Sequence, residues 1–265
     1  MEKSSLLDRM TQDREERLLL ARVLDKAEQS GKRNLPAQTD FLSPRQQALA
    51  RVLLHQAGIP ETAYSTWGGY EGAERRLICF LPDWMEPEDV RLQAPLRFLR
   101  ASWYPDVSLS HRDLLGSLMG LGIVREKLGD LLVGEGRCDL IVEDGVADFL
   151  RTSWEGAGRA KLKLTELSCQ ELEIPERQYQ EIRDTVSSLR LDAVLGCGFQ
   201  ISRTKAAALV ESGKVELNWR ECTKTDQVVA EGDLISARGF GRMELAAVGG
   251  LTRKGRTGVT VRRYR

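Results

Sequence analysis

Between Leu189 and Arg242 the chain is punctuated so closely that only a small helix-and-strand unit fits, and the segment Ile201–Lys214 is its centre. Ser202 is suited to cap a helix, because its hydroxyl can accept a bond from an unpaired amide in the first turn. Gly213 is placed to end that helix in a left-handed conformation. Between them Ala206, Leu209 and Val210 give an apolar face at helical spacing. Arg203 and Lys205 stand in the first turn, where the helix dipole is positive and a cation costs about 0.3–1 kcal/mol. An anion at this end would explain them, since free amides and two cations together form a phosphate site. Two solvated surface cations are the plainer reading, and the surrounding sequence has to decide.

That sequence reads as one unit. Arg190–Leu195 is a short helix with Gly196 and Gly198 as its stop. In Lys214–Arg220, Val215, Leu217 and Trp219 alternate with polar residues as in a half-buried strand. Gly232-Asp233 marks a turn, Leu234–Arg238 a second strand, and Arg238-Gly-Phe-Gly-Arg242 a cationic glycine loop able to approach a phosphate backbone. Net charge over the whole chain is zero, but residues 189–265 hold fourteen Lys/Arg against eight Asp/Glu. Residues 1–188 are correspondingly acidic, and the last thirteen residues carry six basic residues and no acid. Such asymmetry points to a nucleic-acid face at the C-terminal end.

A length of 265 residues suggests two or three domains with ample core. No apolar run approaches the roughly 20 residues of a membrane span, and the polar N-terminus is not a secretory signal. Five scattered cysteines, none in a C-x-x-C pair, with only His55 and His111 beside them, argue against a zinc site or a disulfide framework. No metal or cofactor is expected, and the cytoplasm is the expected compartment.

The first third reads as helical, with Leu7, Met10, Leu18, Ala21, Leu24 and Ala27 mostly at three- and four-residue steps. A further helix has Ser43 as cap, Pro44 at its first position and Gly58 just past its end. Trp67–Arg76 is a glycine-rich loop or boundary without the context of a dinucleotide or P-loop motif. Strands follow at Leu77–Leu81 and Leu96–Tyr104, a helix at Ser110–Met119, a strand or hairpin at Asp130–Val133 and Cys138–Val142, a helix at Gly145–Trp154 and a strand at Ala160–Leu167. This alternation implies an α+β domain of the ferredoxin-like or RNA-recognition type, although the stacking aromatics of such RNA sheets are not recognisable.

His111-Arg112-Asp113 has the look of an acid–base pair, but Ser110 as N-cap and Asp113 at the capping-box position explain it structurally. A kinase loop would need Asn where Leu118 stands. No Ser/His/Asp set, P-loop or metal cluster appears elsewhere, so nothing argues for an enzyme.

Leu191-Asp192, Ser202-Arg203, Ala206, Leu209-Val210, Gly213, Val215, Asn218, Gly232-Asp233 and Arg238-Gly-x-Gly-Arg242 resemble the S4 RNA-binding domain. The resemblance implies RNA contacts from Arg190, Ser202, Arg203, Lys205, Lys214, Asn218, Lys224, Arg238 and Arg242. Trp219 stands where that domain often has glycine. Gly68-Gly-Tyr-x-x-Ala-Glu-Arg75, Ser110-His-Arg-Asp-x-Leu-Gly-x-Leu-Met-Gly-Leu-Gly-Ile123 and Gly129-Asp130 are similar to the YlmH family of S4-domain proteins. What this implies is a helical N-terminal module (1–75), an RNA-recognition-like α+β domain (76–170), a linker or short helix (171–188) and an S4 domain with a basic tail (189–265). It further implies a monomeric, non-enzymatic bacterial protein that binds structured rRNA and tRNA on the large ribosomal subunit. In ribosome-associated quality control it would hold peptidyl-tRNA while a stalled nascent chain receives its C-terminal tail. The alternatives are a pseudouridine synthase and a cell-division-linked adaptor. For the synthase, the one Arg-Leu-Asp, Arg190–Asp192, lies inside the RNA module rather than in a catalytic domain. For the adaptor, the acidic N-terminal half offers only charge.

Overall fold

A computed structural model describes residues 3–176 and 178–264; Met1, Glu2, Arg177 and Arg265, the last residue of the basic stretch, lie outside the described residues. The chain separates into two compact units, Met1–Pro175 and Glu176–Arg265.

The first unit begins with α1 (Lys3–Met10) and α2 (Arg14–Arg33). One helical periodicity becomes two helices because Asp13 turns extended and accepts the Glu16 amide, capping α2. After β1 (Ala37–Gln38), α3 (Pro44–Gln56) starts in a Ser43–Gln46 capping box with Pro44 in its first turn, and Gly58 follows at φ 75°. β2 (Tyr64–Trp67) and β3 (Leu77–Phe80) complete an antiparallel sheet of order β1-β3-β2. Leu20, Val23, Leu53, Leu54, Ile78 and Phe80 form the core between these helices and that sheet.

A single turn, α4 (Val90–Gln93), leads into β4 (Leu96–Ser102), α5 (His111–Gly120), β5 (Leu128–Gly134), β6 (Arg137–Glu143) and α6 (Asp144–Ser153). A short ribbon of β7 (Gly156–Ala157) and β8 (Ala160–Lys161) precedes β9 (Lys163–Leu167). The four long strands form one antiparallel sheet in the order β5-β6-β4-β9. The elements from β4 to β9 follow the sequence reading, but Leu77–Leu81, read as the first strand of this domain, is instead β3 of the preceding sheet, paired with β1 and β2. Asp113 closes the capping box on Ser110, so the His-Arg-Asp triplet is a helix start. Strand alternation sends Leu99, Ala101, Cys138, Leu140 and Val142 toward Leu114 and Leu118 of α5 and Ala147 and Leu150 of α6. Burying each such leucine contributes about 1.5–3 kcal/mol.

The other face of this sheet explains the missing aromatics. Leu132, Ile141 and Phe98 pack there against Phe41, Leu77, Cys79, Met85 and Val90 from the N-terminal part of the same unit. Phe41 and Ile141 are fully buried. The face on which an RNA-recognition sheet stacks bases is therefore filled by protein. Asp130 locks the two layers by accepting the Tyr70 hydroxyl (2.9 Å) and the Glu74 and Arg75 amides (2.7 and 3.0 Å). The Arg75 guanidinium donates in turn to the carbonyls of Leu128, Phe41 and Arg125. Burial, with Arg125 nearby, lowers its pKa to about 10. Gly129 leaves room for Phe41, since a Cβ there would lie 2.9 Å from the ring. The Gly-Gly-Tyr…Glu-Arg and Gly-Asp motifs thus meet in one structural joint.

The second unit comprises β10 (Tyr179–Val186), α7 (Leu191–Phe199), α8 (Arg203–Glu211), β11 (Val215–Leu217), β12 (Arg220–Glu221), β13 (Leu234–Ala237), β14 (Gly241–Leu251) and β15 (Thr257–Tyr264). Its antiparallel sheet runs β10-β15-β14-β13-β11-β12. Val215, Ile235, Met243, Leu245, Val259 and Val261 cover one side of a core closed by Leu191, Val194, Leu195, Ala206 and Val210 of the helix pair.

Four local expectations change here. The segment read as linker or short helix carries β10, whose Ile182 and Val186 point into the core. The basic C-terminal stretch is not a tail through Thr257–Tyr264: it is β15, paired on both sides. Gly196 and Gly198 do not stop α7, which runs through both to Gln200 at φ 55°. They are close-approach glycines: a Cβ at 198 would meet the Met243 sulfur at 2.1 Å, and one at 196 the Ile201 carbonyl at 3.2 Å. Finally, Trp219 is no strand residue. With Asn218 it forms the two-residue turn joining Leu217 to Arg220, at φ 48° and 66°.

Candidate RNA-binding surface

The α8 start is built as its sequence requires. Ser202 accepts the Lys205 amide at 3.2 Å, and no acidic residue occupies the first turn. The two cations there have different roles. Arg203 turns inward to Asp192 of α7, its Nε donating to Oδ2 at 3.0 Å, and Arg190 donates to Oδ1 at 3.2 Å. Asp192 is almost completely buried, at 4% exposure. Burial alone would raise its pKa, but the bonds and charges of Arg203 and Arg190 outweigh that and hold it below the usual carboxylate value. Arg203 still keeps half of its side chain exposed. The Leu191 and Asp192 amides donate to the Gln227 and Thr225 carbonyls, which brings the exposed Lys224 to this end of α7.

Lys205 faces the glycine loop. Its ammonium lies 5.2 Å from the Phe240 ring centroid, and Phe240 meets Phe199 at 5.6 Å with the rings tilted. Arg263 of β15 lies over the far end of this pair, 5.3 Å from Phe199. Each such cation–ring contact is worth about 0.5–1 kcal/mol at an exposed site. Two cations are thereby held in place without a carboxylate to neutralise them in these contacts. Gly239 and Gly241, at φ 85° and 97°, let the chain turn tightly enough to seat Phe240. The exposed Arg238 hydrogen-bonds through its amide to the Lys214 carbonyl at 2.9 Å, setting these two exposed cations side by side in the backbone.

Asn218 and Arg242 belong to a third place. The Asn218 side chain donates to Asp233 at 2.8 Å and accepts the Leu234 amide at 3.0 Å, so it fixes the β11–β12 turn to β13. Arg242 lies 4.2 Å from the Trp219 centroid. Of the residues proposed from sequence, the structure thus groups Arg190 and Arg203 with Lys224, and Lys205 with Arg238 and Lys214, and it gives Asn218 an internal task. Sequence reasoning missed Phe199, Phe240 and Arg263. The aromatic inside Arg-Gly-Phe-Gly-Arg was the available signal for one of them.

A helix pair on an antiparallel sheet, with cations at the second helix's start and in the adjoining glycine loop, defines an S4-type RNA-binding module. Residues 189–235 match the S4 domain, 15–83 match "YlmH, N-terminal" and 103–171 match "Putative RNA-binding domain in YlmH". A Bacillus subtilis (strain 168) protein named "Ribosome-associated protein quality control protein P2" is 39% identical over 229 residues, 86% of this chain and 87% of that protein. The solved "Cell division protein ylmH from Streptococcus pneumoniae" is 21% identical with a TM-score of 0.52, covering 62% of this chain and 98% of its own, and speaks for the fold. The chain belongs to the YlmH family.

Proposed function

We propose that the protein binds structured rRNA or tRNA on the large ribosomal subunit, as a factor without chemistry of its own, in the quality control of stalled nascent chains. The observation that carries this reading is the cation–aromatic row Lys205–Phe240–Phe199–Arg263 beside Arg238 and Lys214. Cations braced by rings rather than by carboxylates keep their charge for phosphates, and phosphate contacts dominate affinity for RNA. The name of the Bacillus subtilis relative supports the ribosomal setting. A cytoplasmic location accords with it, and no described helix is long and apolar enough to cross a membrane.

The structural use of Asp192 favours a binding factor over a pseudouridine synthase. The carboxylate of the one Arg-Leu-Asp is buried and doubly paired with arginines, which leaves it no approach to a substrate base. Of the contact set read from sequence we keep Arg190, Ser202, Arg203, Lys205, Lys214, Lys224, Arg238 and Arg242, with Lys205 and Arg238 foremost, and set aside Asn218, whose side chain is engaged by Asp233 and the Leu234 amide.

Gradient sedimentation with purified ribosomal subunits tests this. The wild-type chain is expected to travel with the large subunit, and a Lys205→Glu/Arg238→Glu variant to stay at the top of the gradient. Equal co-sedimentation of both proteins, or preference for the small subunit, would overturn the proposal.

A further inference from the structure

We propose that Trp219 is a stacking platform for one unpaired nucleobase of the bound RNA, an inference that rests on the RNA-binding reading above. The backbone carries the first observation. Asn218 and Trp219 are the two central residues of a tight hairpin turn, both left-handed, at φ 48° and 66°. Asparagine tolerates that conformation and glycine prefers it at the second position; a bulky side chain there is an outlier. Held strain of this kind collects at functional positions. The neighbours do not account for it, because Asn218 by itself anchors the turn through Asp233 and Leu234. Glycine after it would give the favoured Asn-Gly hairpin.

The second observation is what the strain achieves. It places an indole at a hairpin tip, only half-buried, with the Arg242 guanidinium 4.2 Å from its centroid. Arg242 leads out of the Arg-Gly-Phe-Gly-Arg loop at the start of β14, so the same strand start joins this indole to the cationic loop. A ring has two faces, and Arg242 occupies one. A base stacked on the other would complete an arginine–indole–base sandwich, in which the guanidinium fixes the ring. Stacking needs no particular base, which suits recognition of RNA by shape and by a splayed-out nucleotide. Among the other rings of this unit, Phe199 and Phe240 pack against each other and against the core, the Tyr264 hydroxyl donates to Glu244, and Tyr179 lies on a regular strand under Arg262 with no backbone strain.

The test uses the full-length chain and two RNA hairpins with the same stem, one with unpaired purines in a bulge and one fully paired there. Wild type should bind the bulged RNA more tightly. Trp219→Gly should lose that preference, weakening on the bulged RNA by on the order of tenfold, while binding the paired stem as wild type does. Its unfolding temperature should stay within a few degrees of wild type, because relief of strain offsets the lost contact with Arg242. Trp219→Phe, which restores a ring, should recover most of the preference. Undiminished preference in Trp219→Gly, or a Trp219→Phe variant as indifferent as Trp219→Gly, overturns the platform while the RNA-binding reading stands. Failure of the wild type to bind either RNA overturns both.

Discussion

The Asp192 carboxylate of α7 accepts the Arg203 guanidinium at 3.0 Å across the helix pair, so the first cation of α8 braces the fold from the place where a phosphate site was expected. An arginine in the first turn opposes the helix dipole; a buried carboxylate beside it supplies the anion that offsets this. In the proposed function, the phosphate-binding task falls to Lys205 and to the glycine loop it faces.

Asp192 should make stability depend on pH in the acid range. Its folded pKa is lowered, so the unfolded chain takes up its proton first. The stabilisation is complete above the unfolded value near 3.9 and is lost as pH falls through the folded value. Asp192→Asn should therefore flatten the fall in unfolding temperature below about pH 4, while lowering it near pH 7. Arg203→Ala should cost about 1–3 kcal/mol in urea unfolding, since one of two partners of a buried charge is removed.

Asp130→Ala should be among the most damaging single changes in the first unit. It removes the acceptor of the Tyr70 hydroxyl and of two amides, a loss of about 3–5 kcal/mol in chemical denaturation. Ribosome binding per folded molecule should be unaffected, because the second unit carries the proposed surface.

Gly198→Ala separates the two readings of a helix glycine. A stop signal would tolerate alanine or even gain helix from it. The close approach of the Met243 side chain predicts instead a loss of about 1–3 kcal/mol from overpacking, measured by thermal unfolding, and a Gly198→Ala/Met243→Ala pair that loses less than the sum of the two single changes.

What sequence conveyed best were features written in single residues. The caps at Ser43, Ser110 and Ser202 each form with the predicted partner or position, because a short hydroxyl and a nearby amide need no tertiary help. The strand and helix alternation of residues 96–167 was legible for the same reason: its apolar periodicity is local. Features set by distant chain were not legible. A glycine that lets Met243 approach looks like a glycine that ends a helix. Arg203 finds its carboxylate eleven residues back in another helix. Trp219 matched an alternating strand pattern, and only the pairing of Leu217 with Arg220 reveals a turn. The sequence conveyed the succession of elements from residue 96 to 167 but not what covers the sheet: Leu77, read as part of its first strand, belongs with Phe41 to the layer packed on it.

The salt dependence of binding to purified large ribosomal subunits tests the central claim most directly. For wild type, log K should fall linearly with log salt concentration, by roughly 0.7–0.9 per phosphate contact released. Lys205→Glu/Arg238→Glu should bind at least tenfold more weakly at low salt, with a slope shallower by about two contacts. Arg203→Lys, which retains the charge, should change the slope by less than one. An unchanged affinity and slope in the double variant, at undiminished folding, would contradict the assignment of the α8 start and the Arg238–Arg242 loop as the RNA-binding surface.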